Sequence, residues 1–220
     1  LHLSIRRQRQ MCIRDRCSCR EHLEEVGYEV VSDSVFSKIS DTCTPQGVLC
    51  VLKQFHYNIE EMLRDKAPLF LLLENIQDPG NLGTMLRTGE GAGVSGIIMS
   101  RDTVDLYNPK VIRSTMGSIY RVPFYYADDF AAAVHQVQRA GVSVYAAHLR
   151  GKNSYACQDY TKGTAFLIGN EGNGLREETA ELADCYIRIP MEGKVESLNA
   201  AVASSILMYE AHRQRATIEK

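Results

Sequence analysis

The sequence predicts an α/β protein built on a mainly parallel sheet with helices on both faces. Three observations carry that prediction. From Leu69 onward, short apolar runs alternate with helical stretches, the pattern of a parallel sheet with covering helices. Leu69 to Leu73 is apolar at every position, as expected of a strand buried on both faces. Turn-forming clusters follow three of the strand ends, at Asp78–Asn81, Gly169–Gly174 and Pro190–Gly193. In such folds ligands bind at the carboxyl ends of the strands.

The elements are taken in chain order. Leu1 to Arg16 (LHLSIRRQRQMCIRDR) holds five Arg and one Asp. It has no amphipathic period and no signal-peptide core. It resembles translated sequencing-adapter read-through, the alternative being a basic arm that touches RNA, and it is set aside from fold reasoning as a tag would be. Residues 17 to 55 read as the remnant of a small α/β unit truncated at its front. Glu21–Val26 is helical, Tyr28–Val31 a strand, Val35–Ile39 helical or irregular, Ser40–Gly47 a loop and Val48–Leu52 a strand. That is too little to form a core alone. Residues 56 to 68 are polar and end at Pro68, a connector.

The main domain spans 69 to 213, with 214 to 220 as a tail. After Leu69–Leu73, Asn81 is placed as the N-cap of a helix over Leu82–Ala92. Gly96–Met99 is a strand and Pro109–Ser114 a short helix. Tyr120–Tyr126 is a strand interrupted by Pro123, and Asp128–Ala140 an amphipathic helix closed by Gly141. Val142–Ala147, Thr164–Ile168 and Tyr186–Ile189 are strands. Ser197 caps a last helix running to about Arg213.

Composition excludes several classes. The 220 residues suit one large domain, or one domain and a smaller piece. No apolar run approaches the roughly 18 residues that span a membrane. The seven Cys form no C-x-x-C pair, so reduced thiols in a cytosolic protein are expected. The six His form no H-E-x-x-H, so no metal site is expected. Net charge is −2, and −6 without the first sixteen residues. Binding to nucleic acid must then rest on a local patch.

Three stretches carry chemistry. In Asn75–Thr88, the helix spends several Gly, each costing roughly 1 kcal/mol relative to Ala, so close approach by another group is expected on the face of Gly83, Thr84, Arg87 and Gly91. Arg87 suits a phosphate or carboxylate there; the alternative is a surface ion pair. In Phe166–Leu175, a buried strand empties into a Gly-rich turn holding one acid, Glu171, whose alternative is a solvated turn residue. No Gly-Lys-Ser/Thr follows, which excludes a phosphate loop. Gly91, Gly93 and Gly96 spell G-x-G-x-x-G, but between a helix and a strand, the reverse of the dinucleotide fingerprint. In Ile187–Ala201, a strand, a Pro and a Gly loop lead to the mouth of a helix with Ser197 and Asn199, either a capped structural helix or a ligand-binding turn.

D-P-G-N-L-G-T-M-L-R-T, L-I-G-N-E-G-N-G-L and I-P-M-x-G-x-V-E-S-L-N-A-A-V-A, in that order and spacing, resemble the signature motifs of the SpoU/TrmH family of RNA 2′-O-ribose methyltransferases. N-P-K-V-I-R-S-T-M-G-S at 108–118 and S-D-T-C-T-P-Q-G-V-L at 40–49 add to the resemblance. It implies a deep C-terminal trefoil knot that holds S-adenosylmethionine, and an obligate homodimer. Gly169, Ile189 and Leu198 match cofactor-binding positions, with Asn170 and Met191 flanking them. Asn81, Arg87, Glu171, Ser197 and Asn199 match catalytic and substrate-orienting positions. The implied substrate is RNA, ribosomal more than transfer RNA, with Arg101, Lys110, Arg113 and Arg121 as contacts unless they form an ordinary solvated face. The rivals are a silent RNA-binding member of the same fold, a knotted base methyltransferase and a dinucleotide-dependent oxidoreductase.

Overall fold

A computed structural model of the chain describes residues 2–6, 28–40, 47–51, 53–194 and 197–218. It divides into two units, Leu1–Phe55 and His56–Lys220. In the first unit, β1 (His2–Arg6) pairs parallel with β2 (Tyr28–Val31) and antiparallel with β3 (Val48–Val51). Helix α1 (Asp33–Ile39) buries Phe36 and starts at Ser32, whose hydroxyl accepts from the Val35 N–H. Thus His2–Arg6, set aside on sequence grounds, forms the central strand of this sheet. Its apolar Leu3 and Ile5 alternate with polar neighbours, but over too few residues to register as a period. The helix expected at Glu21–Val26, most of the Ser40–Gly47 loop and Leu52 lie outside the described residues.

The second unit holds a seven-stranded parallel sheet. In chain order its elements are α2 (Ile59–Met62), β4 (Leu69–Leu73), α3 (Pro79–Ala92), β5 (Gly96–Ser100), α4 (Pro109–Thr115), β6 (Phe124–Ala127), α5 (Phe130–Arg139), β7 (Ser143–Ala147), β8 (Asn153–Ser154), β9 (Thr164–Ile168), α6 (Glu177–Ala180), β10 (Cys185–Arg188) and α7 (Ala200–Ile218). Among the described residues the strands lie in the order β6-β5-β4-β9-β7-β10-β8. Every adjacent pair is parallel; Leu71, for example, sits opposite Ile97 on one side and Phe166 on the other.

β4 and β9 are buried along their whole length. Each fully buried Leu or Phe there contributes about 1.5–3 kcal/mol. Phe70, Leu72, Ile98, Val144, Ala146 and Leu167 pack with Ile59 and Met62 of α2, with Ala133, Val134 and Val137 of α5, and with Ala180 of α6. Strand alternation sends Leu69, Leu71, Leu73, Ile97 and Phe166 to the opposite side. On that side α3 and α7 pack together and α7 reaches β9.

Four local expectations are corrected. The segment 56–68 is no bare connector: Asn58 caps α2, and Ile59 and Met62 enter the core. Two apolar residues spaced by three are too short a signal to show a helix. Helix α3 begins at Pro79, capped by Asp78, whose carboxylate accepts the Asn81 N–H at 2.7 Å; Pro at the first helical position and Asp before it make the stronger start. Helix α7 is capped by Asn199 rather than Ser197: the N–H groups of Ala201 and Val202 donate to Asn199 Oδ1 at 2.9 and 3.2 Å. It also runs on to Ile218, into the expected tail, and Arg215 donates to the carbonyls of Ala67, Tyr160 and Lys162 at 2.7–2.9 Å. The strand expected over Tyr120–Tyr126 starts only at Phe124, past Pro123, and Tyr120 lies with Ser118 and Ile119 in a 3₁₀ turn.

The close approach expected at the Gly-bearing face of α3 is made by α4. A Cβ on Gly83 would lie 1.7 Å from Ser114 Oγ and 2.9 Å from the Val111 carbonyl oxygen. The side chain could rotate away, but the backbone carbonyl could not. Gly83→Ala gains up to about 1 kcal/mol of helix propensity against an overpacking cost of about 1–3 kcal/mol. We expect a net loss of about 1–2 kcal/mol, read as a lower urea midpoint at unchanged slope; a variant as stable as the parent would show that α3 and α4 separate without cost.

Candidate active site

The three motif stretches meet at the carboxyl ends of β4, β9 and β10. Asp78 takes over the capping of α3, which frees the Asn81 side chain. Its amide Nδ2 donates to Glu171 Oε1 at 3.0 Å, and its Oδ1 accepts from Asn199 Nδ2 at 3.0 Å. Asn199 in turn caps α7. One hydrogen-bonded chain therefore runs from the first turn of α7 through Asn199 and Asn81 to Glu171, joining residues far apart in sequence. Glu171 also accepts the N–H groups of Gln77 and Asp78, both at 3.1 Å.

That set of donors decides the state of Glu171. Partial burial works against its charge, but the hydrogen bonds from Asn81, Gln77 and Asp78 outweigh it and hold the carboxyl below its ordinary range. An ionised carboxylate engaged by three donors is a brace and a poor proton acceptor.

The Gly-rich turn is closed on itself. Asn170 and Gly174 exchange backbone hydrogen bonds at 3.0 and 2.9 Å. Asn170 Oδ1 accepts from the N–H groups of Gly172 and Asn173, and its Nδ2 donates to the Asn75 carbonyl at 2.8 Å. A Cβ on Gly169 would fall 2.2 Å from Gly174 C and Leu175 N, so only glycine fits. Asn75 itself has φ +54°, a conformation Asn tolerates better than most residues.

Beside this turn lies a cavity of about 260 Å³. Ile168, Leu175, Ile187, Ile189, Met191 and Leu198 supply apolar walls, and Gly169, Asn170, Glu171, His148 and Ser197 supply polar edges. Mostly apolar walls with a few placed polar groups are what a small organic cofactor requires. All five residues read from the sequence as cofactor-binding line it, as do Glu171 and Ser197. Asn81 and Asn199 stand behind the turn and hold it.

Arg87 is not in this cluster. It is exposed, and among the described residues it has no hydrogen bond or ion pair. Six residues beyond Asn81, it projects about 120° away from it around the helix, so Asn81 does not fix Arg87. Of the four expected RNA contacts, two are already paired. Arg101 binds Asp128 at 2.5 Å, and Arg121 binds Glu90. Arg121 first, then Ser118, pull the Glu90 carboxyl down to about 2. Lys110 and Arg113 are exposed neighbours on α4 without a side-chain partner among the described residues.

Sequence reasoning missed a second brace. Glu74, buried at the end of β4, accepts the Arg176 N–H at 2.8 Å and the Thr179 hydroxyl at 2.5 Å. The Arg176 guanidinium also binds Asp102 after β5. A buried acid is costly unless so partnered, and a lone Glu after an apolar run gives no sign of such partners. His148, also missed, reaches the cavity through β7, which carries none of the motifs. Among the described residues no cluster of His, Cys, Asp or Glu could hold a metal ion.

Because the folded-state pKa of Glu171 is lowered, its contribution to stability is fully present above the unfolded carboxylate pKa. It is lost as pH falls through the folded one. Glu171→Gln therefore loses stability near neutral pH, and its deficit shrinks as pH falls through that acidic window. Denaturant midpoints of both proteins across pH test this; a deficit that stays constant with pH would remove the charge from the account.

Comparison with known proteins identifies the family. The model of the SpoU rRNA Methylase family matches residues 68–209. The 23S rRNA (guanosine(2553)-2′-O)-methyltransferase RlmP of Bacillus subtilis is 35% identical over 180 residues, covering 82% of this chain and 70% of that protein. The 23S rRNA (guanosine-2′-O-)-methyltransferase RlmB of Ralstonia nicotianae is 33% identical, covering 82% and 74%. Among solved structures, the SpoU methyltransferase AviRb from Streptomyces viridochromogenes in complex with AdoMet superimposes with a TM-score of 0.85 at 28% identity, covering 98% of this chain and 83% of that one. AdoMet-bound rRNA methyltransferase from Sinorhizobium meliloti gives 0.79 at 32% identity, covering 96% and 79%. With its three motif stretches hydrogen-bonded around one cavity and the family model matched over residues 68–209, this chain belongs to the SpoU rRNA methylase family.

Proposed function

We propose that this chain transfers a methyl group from S-adenosylmethionine to a ribose 2′-hydroxyl in RNA, with 23S ribosomal RNA as the substrate its relatives favour. The observation that carries this is the Asn199–Asn81–Glu171 chain, which fixes the Gly169–Gly174 turn against the Ile187–Leu198 wall of the cavity. S-adenosylmethionine, when bound, supplies a methyl group already activated by its sulfonium. What this chain adds is alignment, which is worth roughly 7–11 kcal/mol when two reactants are held in line. Gly169, Asn170, Ile189, Met191 and Leu198 hold the cofactor, and Ser197 shapes the wall of its cavity.

The 2′-oxygen bonds to the methyl carbon as the sulfur–carbon bond breaks, and the hydroxyl proton leaves. Glu171 is engaged by three donors and does not take it. A guanidinium offers five N–H donors and no acceptor, so the role of Arg87 is to grip an RNA phosphate and orient the hydroxyl, with phosphate or water accepting the proton. Its lack of a protein partner supports that role. Lys110 and Arg113 extend the phosphate-binding surface, and Arg101 and Arg121 remain in their ion pairs.

The finer parts of the proposal follow from the topology. β9 returns to lie between β4 and β7, and β10 between β7 and β8, which supports a C-terminal knot. Val202 and Tyr209, seven residues apart on one face of α7, are about half exposed, and Met116 is 69% exposed. These apolar side chains support a homodimer. Residues before 56 form a separate small substrate-binding unit. No described helix is long and apolar enough to cross a membrane, and a cytoplasmic place of action with no metal requirement completes the proposal.

Arg87→Ala should lower transfer of a labelled methyl group to RNA by at least about a hundredfold, the scale of losing one aligning contact. Calorimetric affinity for S-adenosylmethionine should persist. Survival of activity would remove Arg87 from the mechanism. Nuclease digestion of the product followed by mass spectrometry should find methylated ribose; a methylated base would select the rival chemistry. Lys110→Ala with Arg113→Ala should weaken RNA binding and flatten its salt dependence by about one logarithmic unit per lost phosphate contact. An unchanged slope would place the RNA elsewhere.

A further inference from the structure

We propose that His148 is a cofactor-binding residue whose Nε2–H donates a hydrogen bond to an acceptor on the adenosine part of S-adenosylmethionine. The assignment rests on the methyltransferase reading above. His148 is the first residue past the carboxyl end of β7, where ligands of parallel sheets bind, and its half-buried side chain lines the cavity.

The imidazole is held on two sides. Its Nδ1 accepts the Arg150 N–H at 3.1 Å, and its face stacks on Tyr186 with centroids 5.1 Å apart and planes at 30°. The backbone is fixed as well, since the His148 N–H donates to the Ile187 carbonyl at 3.0 Å. With Nδ1 accepting, the neutral ring carries its proton on Nε2. Among the described residues that Nε2–H has no acceptor. That donor is held in place at the cavity edge, where an acceptor on a bound ligand can meet it.

The chemistry at this end of the cavity fits a purine. Ala147 and Leu149 flank His148 in sequence, Ile187 accepts its backbone N–H, and all three line the cavity. Burial, then the neighbouring Arg150, lowers the imidazole pKa against the pull of Glu177. The ring is therefore neutral near pH 7 and presents no like charge to a sulfonium cofactor.

The test is calorimetric binding of S-adenosylmethionine and of 5′-methylthioadenosine, which lacks the amino-acid end, to the full chain and two variants. His148→Asn keeps an acceptor where Nδ1 meets the Arg150 N–H but has no distal donor. His148→Gln places an amide N–H near the position of Nε2. The Asn variant should bind both compounds roughly fivefold more weakly, the scale of one neutral hydrogen bond, and the Gln variant should recover most of the loss. An Asn variant that binds like the parent, or that loses affinity for S-adenosylmethionine alone, overturns the assignment while leaving the methyltransferase reading intact. A parent chain that binds neither compound overturns both. ¹H–¹⁵N spectra of the parent imidazole need no variant: the Nε2 resonance should shift on adding 5′-methylthioadenosine, and an unmoved resonance overturns the contact.

Discussion

The hydrogen-bonded chain Asn199–Asn81–Glu171 is the constraint on which the rest of the site depends. Each link is a side-chain amide or carboxylate at about 3.0 Å from the next, and each belongs to a different crossing of the sheet. Asn199 has one oxygen and one NH₂ to offer. The oxygen takes the first N–H groups of α7, and the NH₂ takes Asn81. Asn81 likewise spends one end on Asn199 and the other on Glu171. Replacing any of the three by an apolar residue leaves its neighbour with an unmet donor or acceptor, so the three motifs are coupled through satisfied polar groups rather than through apolar packing.

This coupling depends on where the helix caps fall. If Asn81 capped α3, its oxygen would be aimed at the first N–H groups of that helix rather than at Asn199. Asp78 takes that role because Pro79 fixes the first helical residue just after it. At α7 the sequence offers Ser197 and Asn199, both good caps. The choice of Asn199 leaves Ser197 at the cavity wall, and its amide accepts from the helix on one atom while donating to Asn81 from another. A capped helix and a ligand-binding turn were alternatives at this stretch; the structure caps the helix with Asn199 and places Ser197 and Leu198 in the cavity wall.

What the sequence revealed follows from how local each signal is. The buried strands at Leu69–Leu73 and Thr164–Ile168 are legible because every position is apolar. The turns beside the cavity are legible because Gly, Asn and Pro cluster after strand ends, while the individual cavity residues are what the resemblance of the motifs to the SpoU/TrmH family implies. The strand order was not legible: nothing in Thr164–Ile168 says that it inserts between β4 and β7 rather than at an edge. His148 and Glu74 were hidden for a similar reason, since the partners that define them, Tyr186 for one and Arg176 for the other, are far along the chain. The α2 core contacts were hidden by brevity.

Charge follows the same logic of partners. A chain with a net charge of −2 offers polyanionic RNA no general attraction, so what matters is which cations are left uncompensated. Arg101, Arg121, Arg150, Arg176 and Arg213 are each committed to a carboxylate, and Arg215 to backbone carbonyls. Exposed pairs of this kind add little stability, but they remove their cations from competition for phosphate. Arg87, Lys110 and Arg113 are left on α3 and α4, the two helices that Gly83 lets approach at the Ser114 contact. Close packing of these helices and presentation of cations are therefore one arrangement: the glycine that weakens α3 as a helix lets α4 carry Lys110 and Arg113 on the helix packed against the one that carries Arg87.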